Sequence, residues 1–154
     1  MVSAVREAKF IDEYVAFSRL PRPEEIEEIS GVFRAVVIVA ERFEVPYQIE
    51  EWEKRGVAVF HLPVPDFSAP SVEQILRALR WIERHVNNGD KVLVHCVGGL
   101  GRSGTVAVAW LMYSKGLSLK NALMEVRKVK HGAVETKEQM KTLIELERTL
   151  RSEP

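Results

Sequence analysis

The chain has 154 residues, 46% of them hydrophobic and 29% charged, which is typical of a single soluble globular domain over residues 1–154. Its 22 basic and 22 acidic residues cancel, so no overall field favours nucleic acid or an anionic membrane as a partner. One cysteine excludes an internal disulfide and a multi-thiolate metal site, and it indicates a reducing, cytoplasmic location.

The sequence also lacks export and membrane signals. Residues 1–10 have no apolar core of the kind that directs secretion, so we expect no signal peptide. The longest apolar run, Val106 to Tyr113, is far shorter than the ~20 residues that cross a bilayer. The chain contains only three Asn and three Gln beside abundant charged residues, a composition that indicates a thermophilic source.

The first half of the chain alternates between strand and helix signals. Lys9–Ser18 has strand character, and Pro23 marks the first turn of a short helix. The β-branched run Ala35–Ala40 predicts a strand that is buried on both faces, as in parallel sheets. A short helix over Tyr47–Arg55 and a strand over Val57–Leu62 follow.

The second half continues the alternation after a proline-rich loop. Ser71 and Gln74 form a predicted capping box at the start of a helix that ends near Val86. A strand follows at Lys91–His95. The last predicted helices are Ser103–Ser114, Ser118–Lys128 and Thr136–Leu150. Strands that alternate with helices predict a single α/β domain with a central, mainly parallel sheet flanked by helices on both faces.

The segment HCVGGLGRSG, residues 95–104, joins the last predicted strand to the next helix. Unpaired N–H groups and the dipole at a helix start attract anions, so this turn is a predicted phosphate-binding loop. Arg102 offers two parallel N–H groups to a phosphate, and Cys96 is expected as the thiolate that attacks phosphorus. The glycines permit close backbone approach and positive φ; they are Gly98, Gly99, Gly101 and Gly104.

These residues carry a family resemblance. HCVGGLGRSG resembles the H-C-x5-R-[ST]-G signature loop of protein tyrosine and dual-specificity phosphatases. LPVPDFSAPSVEQI, VVIVAERFEVP and HGAVETKEQ are similar to the small atypical, archaeal-type dual-specificity group. The resemblance implies the protein tyrosine phosphatase fold and a hydrolase that acts on phosphotyrosine, with phosphoserine and phosphothreonine left open. It also implies a phosphocysteine intermediate and no cofactor.

The resemblance assigns roles residue by residue. The phosphate is expected in the loop formed by Val97, Gly98, Gly99, Leu100, Gly101 and Arg102. Asp66 matches the general acid, and Gln139 matches the glutamine that orients the hydrolytic water. Ser103 is expected to hydrogen bond the departing sulfur of Cys96, and His95 to support the loop without attacking the substrate.

Structural alternatives stand beside these roles. Ser103 is also a favourable residue for a helix cap, and the pattern Thr136-x-x-Gln139 predicts a second capping box. A Pro-Asp pair such as that at Asp66 is ordinary turn chemistry. Two further carboxylates are accessory candidates: Glu135 for proton transfer, and Glu41 at the rim of the site.

Other functions fit these residues less well. Uncharged loop residues 97–101 disfavour a phosphoinositide phosphatase, and Asp66 with the neutral charge balance disfavours an RNA 5′-phosphate phosphatase. A sulfurtransferase or arsenate reductase fits the loop poorly, whereas a non-catalytic phosphotyrosine-binding module stays open. We expect a monomer that acts on phosphorylated proteins or peptides, binds phosphate or vanadate, and holds no metal, because the four histidines have no ligand spacing. Lys130 stands where many relatives have arginine.

Overall fold

The structure is a computed structural model that describes residues 4–98 and 100–152. Its strands are β1 (Lys9–Phe10), β2 (Val15–Ser18), β3 (Ala35–Ile38), β4 (Ala58–His61) and β5 (Val92–His95). Its helices are α1 (Ala4–Glu7), α2 (Ile26–Ser30), α3 (Glu50–Glu53), α4 (Val72–Asn87), α5 (Arg102–Lys115), α6 (Leu119–Val129) and α7 (Lys137–Ser152). Single 3₁₀ turns lie at Pro23–Glu25 and Arg42–Glu44.

The five strands form one sheet in the order β1-β2-β5-β3-β4. The pairs β2–β5, β5–β3 and β3–β4 are parallel, and only the edge pair β1–β2 is antiparallel. Successive side chains of a strand point to opposite faces. Val94 therefore packs with α4, α5, α6 and α7 on one face, while Leu93 packs with α2 and α3 on the other. The predicted fold, a mainly parallel sheet covered on both faces, is confirmed.

The first predicted strand is divided by a turn. Instead of one strand over Lys9–Ser18, the chain forms β1 and β2, which pair as a hairpin. The carboxylate of Asp12 accepts the backbone N–H of Tyr14 at 2.9 Å and that of Val15 at 2.7 Å. An Asp side chain that bonds the backbone two or three residues later stabilises a turn, so the local chemistry of Asp12 interrupts the strand.

The helix boundaries follow the predicted signals closely. Ser71 Oγ accepts the N–H of Gln74 at 3.1 Å, and Gln74 Oε1 accepts the N–H of Ser71 at 2.8 Å, so the predicted capping box is confirmed. The helix predicted at Tyr47–Arg55 is reduced to the one turn of α3, which has no side-chain cap at Ile49.

Among the described residues, no helix is long and apolar enough to cross a membrane.

Strand β5 determines where the site lies. It is the middle strand, and its parallel neighbours β2 and β3 end beside it. Crevices at the carboxyl ends of parallel strands are where open α/β sheets bind ligands. Cys96 follows β5 directly at this edge, and the buried helix α5 returns through the core behind it.

Candidate active site

The cysteine lies at the floor of the loop between β5 and α5. Cys96 is 2% exposed, and its Sγ lies 3.2 Å from Oγ of Ser103, within hydrogen-bond reach for sulfur. A hydroxyl at this position can donate to a thiolate. The contact expected between Ser103 and the cysteine sulfur is therefore present in the structure.

Ser103 does not cap its helix. Helix α5 begins at Arg102, its N-cap is Gly101, and no side chain bonds the cap. Ser103 thus lies inside the first turn, fully buried against the sulfur of Cys96. The capping role considered for Ser103 is wrong, because the preceding glycine takes the cap position and the hydroxyl points to the thiol instead.

The glycines of the loop serve close approach and not positive φ. None of Gly98, Gly101 and Gly104 has a positive φ, contrary to the expectation, and Gly99 lies outside the described residues. A Cβ on Gly101 would come within 2.9 Å of Nε2 of the buried Gln139, and one on Gly104 within 3.0 Å of the Cβ of Ala133. Glycine is therefore needed where the segment before α7 packs against the loop and α5.

Arg102 is held by a carboxylate that the sequence analysis missed. Its Nη1 and Nη2 donate to the two oxygens of Glu44 at 2.7 and 3.0 Å, and Nη1 also donates to the carbonyl of Val64 at 2.8 Å. The arginine side chain is 2% exposed, so the bidentate pair is largely removed from water. Glu44 ends the 3₁₀ turn after β3, at the same carboxyl edge of the sheet.

This arrangement leaves one edge of the guanidinium for an anion. A guanidinium has five N–H donors in a fixed plane. Glu44 and Val64 occupy both N–H groups of Nη1 and one of Nη2. The remaining pair, Nε–H and the second Nη2–H, forms the planar fork that matches two phosphate oxygens. Glu44 thus orients Arg102 so that its free edge is available for a phosphate.

Loss of the Glu44 carboxylate should weaken both the fold and catalysis. Glu44→Gln should lower the free energy of unfolding by about 1–3 kcal/mol, because a buried cation loses its charged acceptor. We also expect a lower kcat/KM for an aryl phosphate, since the guanidinium is no longer fixed. Denaturant unfolding and steady-state kinetics measure the two effects.

The control is Glu125→Gln, which removes an exposed pair with Lys128 at 3.1 Å and should change stability by no more than about 0.5 kcal/mol. Hydrogen bonds from Arg102 keep the pKa of Glu44 below its ordinary value. Its contribution is therefore complete above that ordinary pKa and is lost as the pH falls through the lowered pKa of the folded protein. Equal unfolding energies for Glu44→Gln and wild type at neutral pH would contradict the assignment.

Asp66 lines a cavity of about 220 Å³ together with Cys96 and Arg102. Its Oδ1 is 3.6 Å from Nη2 of Arg102 and accepts the backbone N–H of Phe67 at 2.9 Å. The Asp66 side chain is 57% exposed, which leaves the carboxyl accessible to a substrate oxygen. Phe67 has φ of +64°, a strained conformation for a residue other than glycine, and its side chain is 60% exposed beside the cavity.

Gln139 connects the loop that contains Asp66, which we call the acid loop, to the segment before α7. It is fully buried in the first turn of α7, and its Nε2 donates to the carbonyl of Ser68 at 3.2 Å. Its Oε1 accepts the N–H groups of Glu135 and Thr136 at 2.7 and 3.2 Å, while its own N–H donates to Oγ1 of Thr136 at 3.2 Å. The predicted capping box is confirmed. Both lone pairs of Oε1 are occupied, so only the second N–H of Nε2 is left to hold a water.

Two variants separate the roles of Gln139 in capping and in catalysis. Gln139→Ala should lower stability by about 1 kcal/mol through the lost cap. If Nε2 also holds the hydrolytic water, phosphocysteine should accumulate, and rapid kinetics should show a burst of phenol followed by slow turnover. Thr136→Ala is the matched control, because it removes a partner of the cap and leaves the glutamine amide in place. The same stability loss with normal turnover in both variants would restrict Gln139 to capping.

His95 is a buried, neutral residue behind the loop that contains Cys96. It is fully buried at the end of β5, and its ring lies 6.0 Å from that of Trp52 between centroids. Burial lowers the pKa of His95 to about 3, so the imidazole is uncharged at neutral pH. Within residues 4–98 and 100–152, neither ring nitrogen has a hydrogen-bond partner. This placement agrees with the expected supporting role, since the ring does not reach the cavity.

The two accessory carboxylates, Glu135 and Glu41, lie in different places relative to the active-site cavity. Glu135 lines the active-site cavity, together with Asp66, Cys96 and Arg102. Glu41 does not line it: the backbone N–H of Glu41 donates to Oε1 of Glu44 at 2.9 Å. Glu41 therefore acts on the site only through the residue three positions later. The sequence feature that could have identified Glu44 is its position as an acidic residue shortly after the end of β3.

The mainly parallel α/β sheet, with a cysteine and an arginine at the two ends of the loop after its central strand, matches the class of protein tyrosine and dual-specificity phosphatases that the sequence resembles. A profile of the family described as "Dual specificity phosphatase, catalytic domain" matches residues 28–149. The chain belongs to the dual specificity phosphatase family.

Known relatives agree with this membership. Cyclin-dependent kinase inhibitor 3 from Sus scrofa is 33% identical over 106 residues, 68% of this chain and 50% of that protein. Tyrosine-protein phosphatase CDC14 from Candida albicans is 30% identical over 88 residues, 57% of this chain and 16% of that protein. The chain spans about half the length of the first curated relatives that it matches.

Solved structures share the fold. The crystal structure of Tk-PTP in its active form is 64% identical, has a TM-score of 0.91, and covers 92% of this chain and 97% of its own. The crystal structure of PTPMT1 in complex with PI(5)P has a TM-score of 0.87 and covers 96% of this chain and 99% of its own. At 23% identity, the second structure agrees in fold alone.

Proposed function

We propose that residues 1–154 form one catalytic domain, a protein phosphatase that hydrolyses phosphotyrosine through a phosphocysteine intermediate. One observation carries the proposal: Cys96, Arg102 and Asp66 line a single cavity at the carboxyl end of the central strand. A nucleophile, an oxyanion partner and an acid within one cavity are the requirements of phosphoryl transfer to a cysteine.

The first step forms the intermediate. The phosphate binds in loop residues 97–102, with two of its oxygens on the free edge of Arg102. The Cys96 thiolate attacks phosphorus, the S–P bond forms, and the bond from phosphorus to the leaving oxygen breaks. Asp66 transfers its proton to that oxygen, because release of an unprotonated phenolate or alkoxide is costly.

The second step releases phosphate. The Asp66 carboxylate takes a proton from a water held by the amide of Gln139, and the resulting hydroxide attacks phosphorus. The P–S bond breaks, and the sulfur leaves as a thiolate stabilised by the hydroxyl of Ser103, 3.2 Å away. Both steps use groups of this chain alone, so we propose that no metal or other cofactor takes part.

The cavity mouth supports an aromatic substrate. Phe67 and Val97 are 60% and 40% exposed, and both line the cavity with Leu100. Apolar walls suit the ring of phosphotyrosine better than the short side chain of phosphoserine. We further propose that the enzyme works as a monomer in the cytoplasm, where reducing conditions keep the thiol of Cys96 available.

Turnover of matched peptides tests the proposal. Phosphotyrosine and phosphothreonine peptides of the same sequence are compared by release of inorganic phosphate, with and without excess chelator. We expect hydrolysis in both conditions and a preference for phosphotyrosine of about tenfold, the scale of one aromatic contact. Tight phosphopeptide binding without any phosphate release would instead favour a non-catalytic phosphotyrosine-binding module.

A further inference from the structure

The acid loop joins β4 to α4 and carries Asp66 on an exposed tip. Val64 before the tip and Pro70 after it are buried, whereas Asp66 and Phe67 are exposed. Residues 65–68 form a closed turn, in which the N–H of the last residue donates to the carbonyl of the first at 3.0 Å. An exposed turn has few contacts that fix its direction, so the position of the Asp66 carboxyl depends on how the buried ends are held.

Three backbone carbonyls of the acid loop accept hydrogen bonds from side chains elsewhere in the chain. Arg102 donates to Val64 at 2.8 Å, Gln139 to Ser68 at 3.2 Å, and Thr142 to Pro70 at 3.1 Å. Arg102 and Gln139 also take part in the proposed reaction, because one binds the phosphate and the other holds the water. Thr142 does not line the active-site cavity, so its contact with the loop can be removed without removing a reacting group.

The hydroxyl of Thr142 leaves its own helix to reach the acid loop. A Ser or Thr inside a helix commonly donates to the carbonyl four residues earlier. Three hydroxyls of this chain do so: Thr105 bonds Gly101, Ser114 bonds Trp110, and Thr149 bonds Glu145. Thr142 lies within α7 but donates to Pro70, 72 residues away in the chain. A hydroxyl has one hydrogen to donate, so this bond commits Thr142 to the acid loop.

Helix α7 provides a rigid support for the acid loop. Gln139 and Thr142 are three residues apart, so both side chains lie on one face of the helix. They bond the loop at two successive points, Ser68 and Pro70, which fixes its direction as well as its distance from the helix. The helix itself is held in place by the core, because Leu143 is fully buried.

We propose that Thr142 is a positioning residue for Asp66, because its bond to Pro70 holds the acid loop with the Asp66 carboxyl facing the leaving oxygen. This proposal rests on the proposed function. A general acid works only within hydrogen-bond reach, about 2.6–3.2 Å, of the oxygen that it protonates. A small outward shift of the loop therefore impairs proton transfer, while the phosphate still binds at Arg102.

Thr142→Val tests the role, because it removes the hydroxyl and keeps the size and branching of the side chain. The readout is kcat/KM, which reports the steps up to phosphocysteine formation, for two substrates. For phenyl phosphate, whose leaving oxygen needs a proton, kcat/KM should fall about three- to tenfold, the scale of one neutral hydrogen bond. For dinitrophenyl phosphate, whose leaving oxygen departs with little help, kcat/KM should stay within about twofold of the wild type.

Two further variants show that the hydroxyl itself is responsible. Thr142→Ser keeps the donor and should restore kcat/KM for phenyl phosphate to near the wild-type value. Thr149→Val makes the same change in the same helix, but the hydroxyl of Thr149 bonds Glu145 within α7 at 3.0 Å. This matched control should leave both substrates unaffected. Melting temperatures show that each variant is folded.

A double variant shows whether the effect passes through Asp66. In an Asp66→Ala background, Thr142→Val should have no further effect on phenyl phosphate, because no carboxyl is left to position. A further loss of the same size in that background would mean that Thr142 acts on another group, and the proposal would fail.

The outcomes separate this proposal from the proposed function. Equal losses on the two phosphates, no loss on either, or a Thr142→Ser variant as slow as Thr142→Val would overturn the positioning role and leave the phosphatase standing. If the wild type hydrolyses neither phosphate, the proposed function itself is wrong.

Discussion

Cys96→Ser is expected to abolish turnover while phosphate esters still bind. A hydroxyl is hardly ionised at neutral pH, so the variant keeps the loop and Arg102 but lacks the attacking thiolate. The loss in kcat should be on the order of 10³-fold or more, because removal of a covalent nucleophile in other enzymes costs on the order of 10⁶. Aryl phosphate hydrolysis measures the loss, and equilibrium binding of a phosphotyrosine peptide measures what is retained.

Alkylation tests the reactivity of Cys96 independently. The chain contains one cysteine, so iodoacetate incorporation reports Cys96 alone. Phosphate or vanadate should slow this incorporation, because each occupies the loop above the sulfur. If Cys96→Ser retains more than a few per cent of wild-type activity, the phosphocysteine mechanism is untenable.

Asp66→Ala should have the second largest effect, and the effect should depend on the leaving group. A positioned general acid contributes about 10²–10⁴ to the rate, most of it where the leaving oxygen is strongly basic. We therefore expect a large loss for an alkyl phosphate and a small loss for an activated aryl phosphate. The alkaline limb of the pH–rate profile, which reflects loss of the acid's proton, should disappear. Stopped-flow measurement of phenol release isolates this first step.

Glu135→Gln is the matched comparison for Asp66, because both carboxylates line the same cavity. If Asp66 is the acid, Glu135→Gln should keep the leaving-group dependence of the wild type. If Asp66→Ala keeps that dependence and Glu135→Gln changes it, the acid is Glu135. The Asp66 carboxyl would then only accept the backbone N–H of Phe67, as it does in the structure.

Helix starts and buried strands could be predicted because their signals are local. The capping boxes at Ser71 and Thr136 each need only a glutamine three residues later, and both form. The β-branched run at Ala35–Ala40 becomes β3 because β-branched side chains favour extended, buried backbone wherever it lies in the sheet. Cys96 and Arg102 could be predicted for the same reason, because one loop of the chain contains both.

Predictions from neighbouring residues were wrong where contacts with a distant segment determine the local structure. Positive φ was expected for the loop glycines, but Gly101 and Gly104 leave no room for a Cβ because Gln139 and Ala133 pack against them. Glu41 was a candidate for the rim, whereas Glu44 is the carboxylate that meets Arg102. A helical or strand period shows which face of an element is apolar, and it does not show which residue of another element will lie opposite.

The sequence by itself determined the elements, the phosphatase family resemblance and the candidate pair Cys96 and Arg102 in one loop, because all of these depend on neighbouring residues. Only the tertiary structure decided the partners: Glu44 binds Arg102 across 58 residues, and Gln139 reaches the acid loop at Ser68 across 71. The strand order β1-β2-β5-β3-β4 brings these segments to one edge of the sheet. Packing also brings the hydroxyl of Thr142 to the carbonyl of Pro70 across 72 residues, since it fixes which distant groups become neighbours.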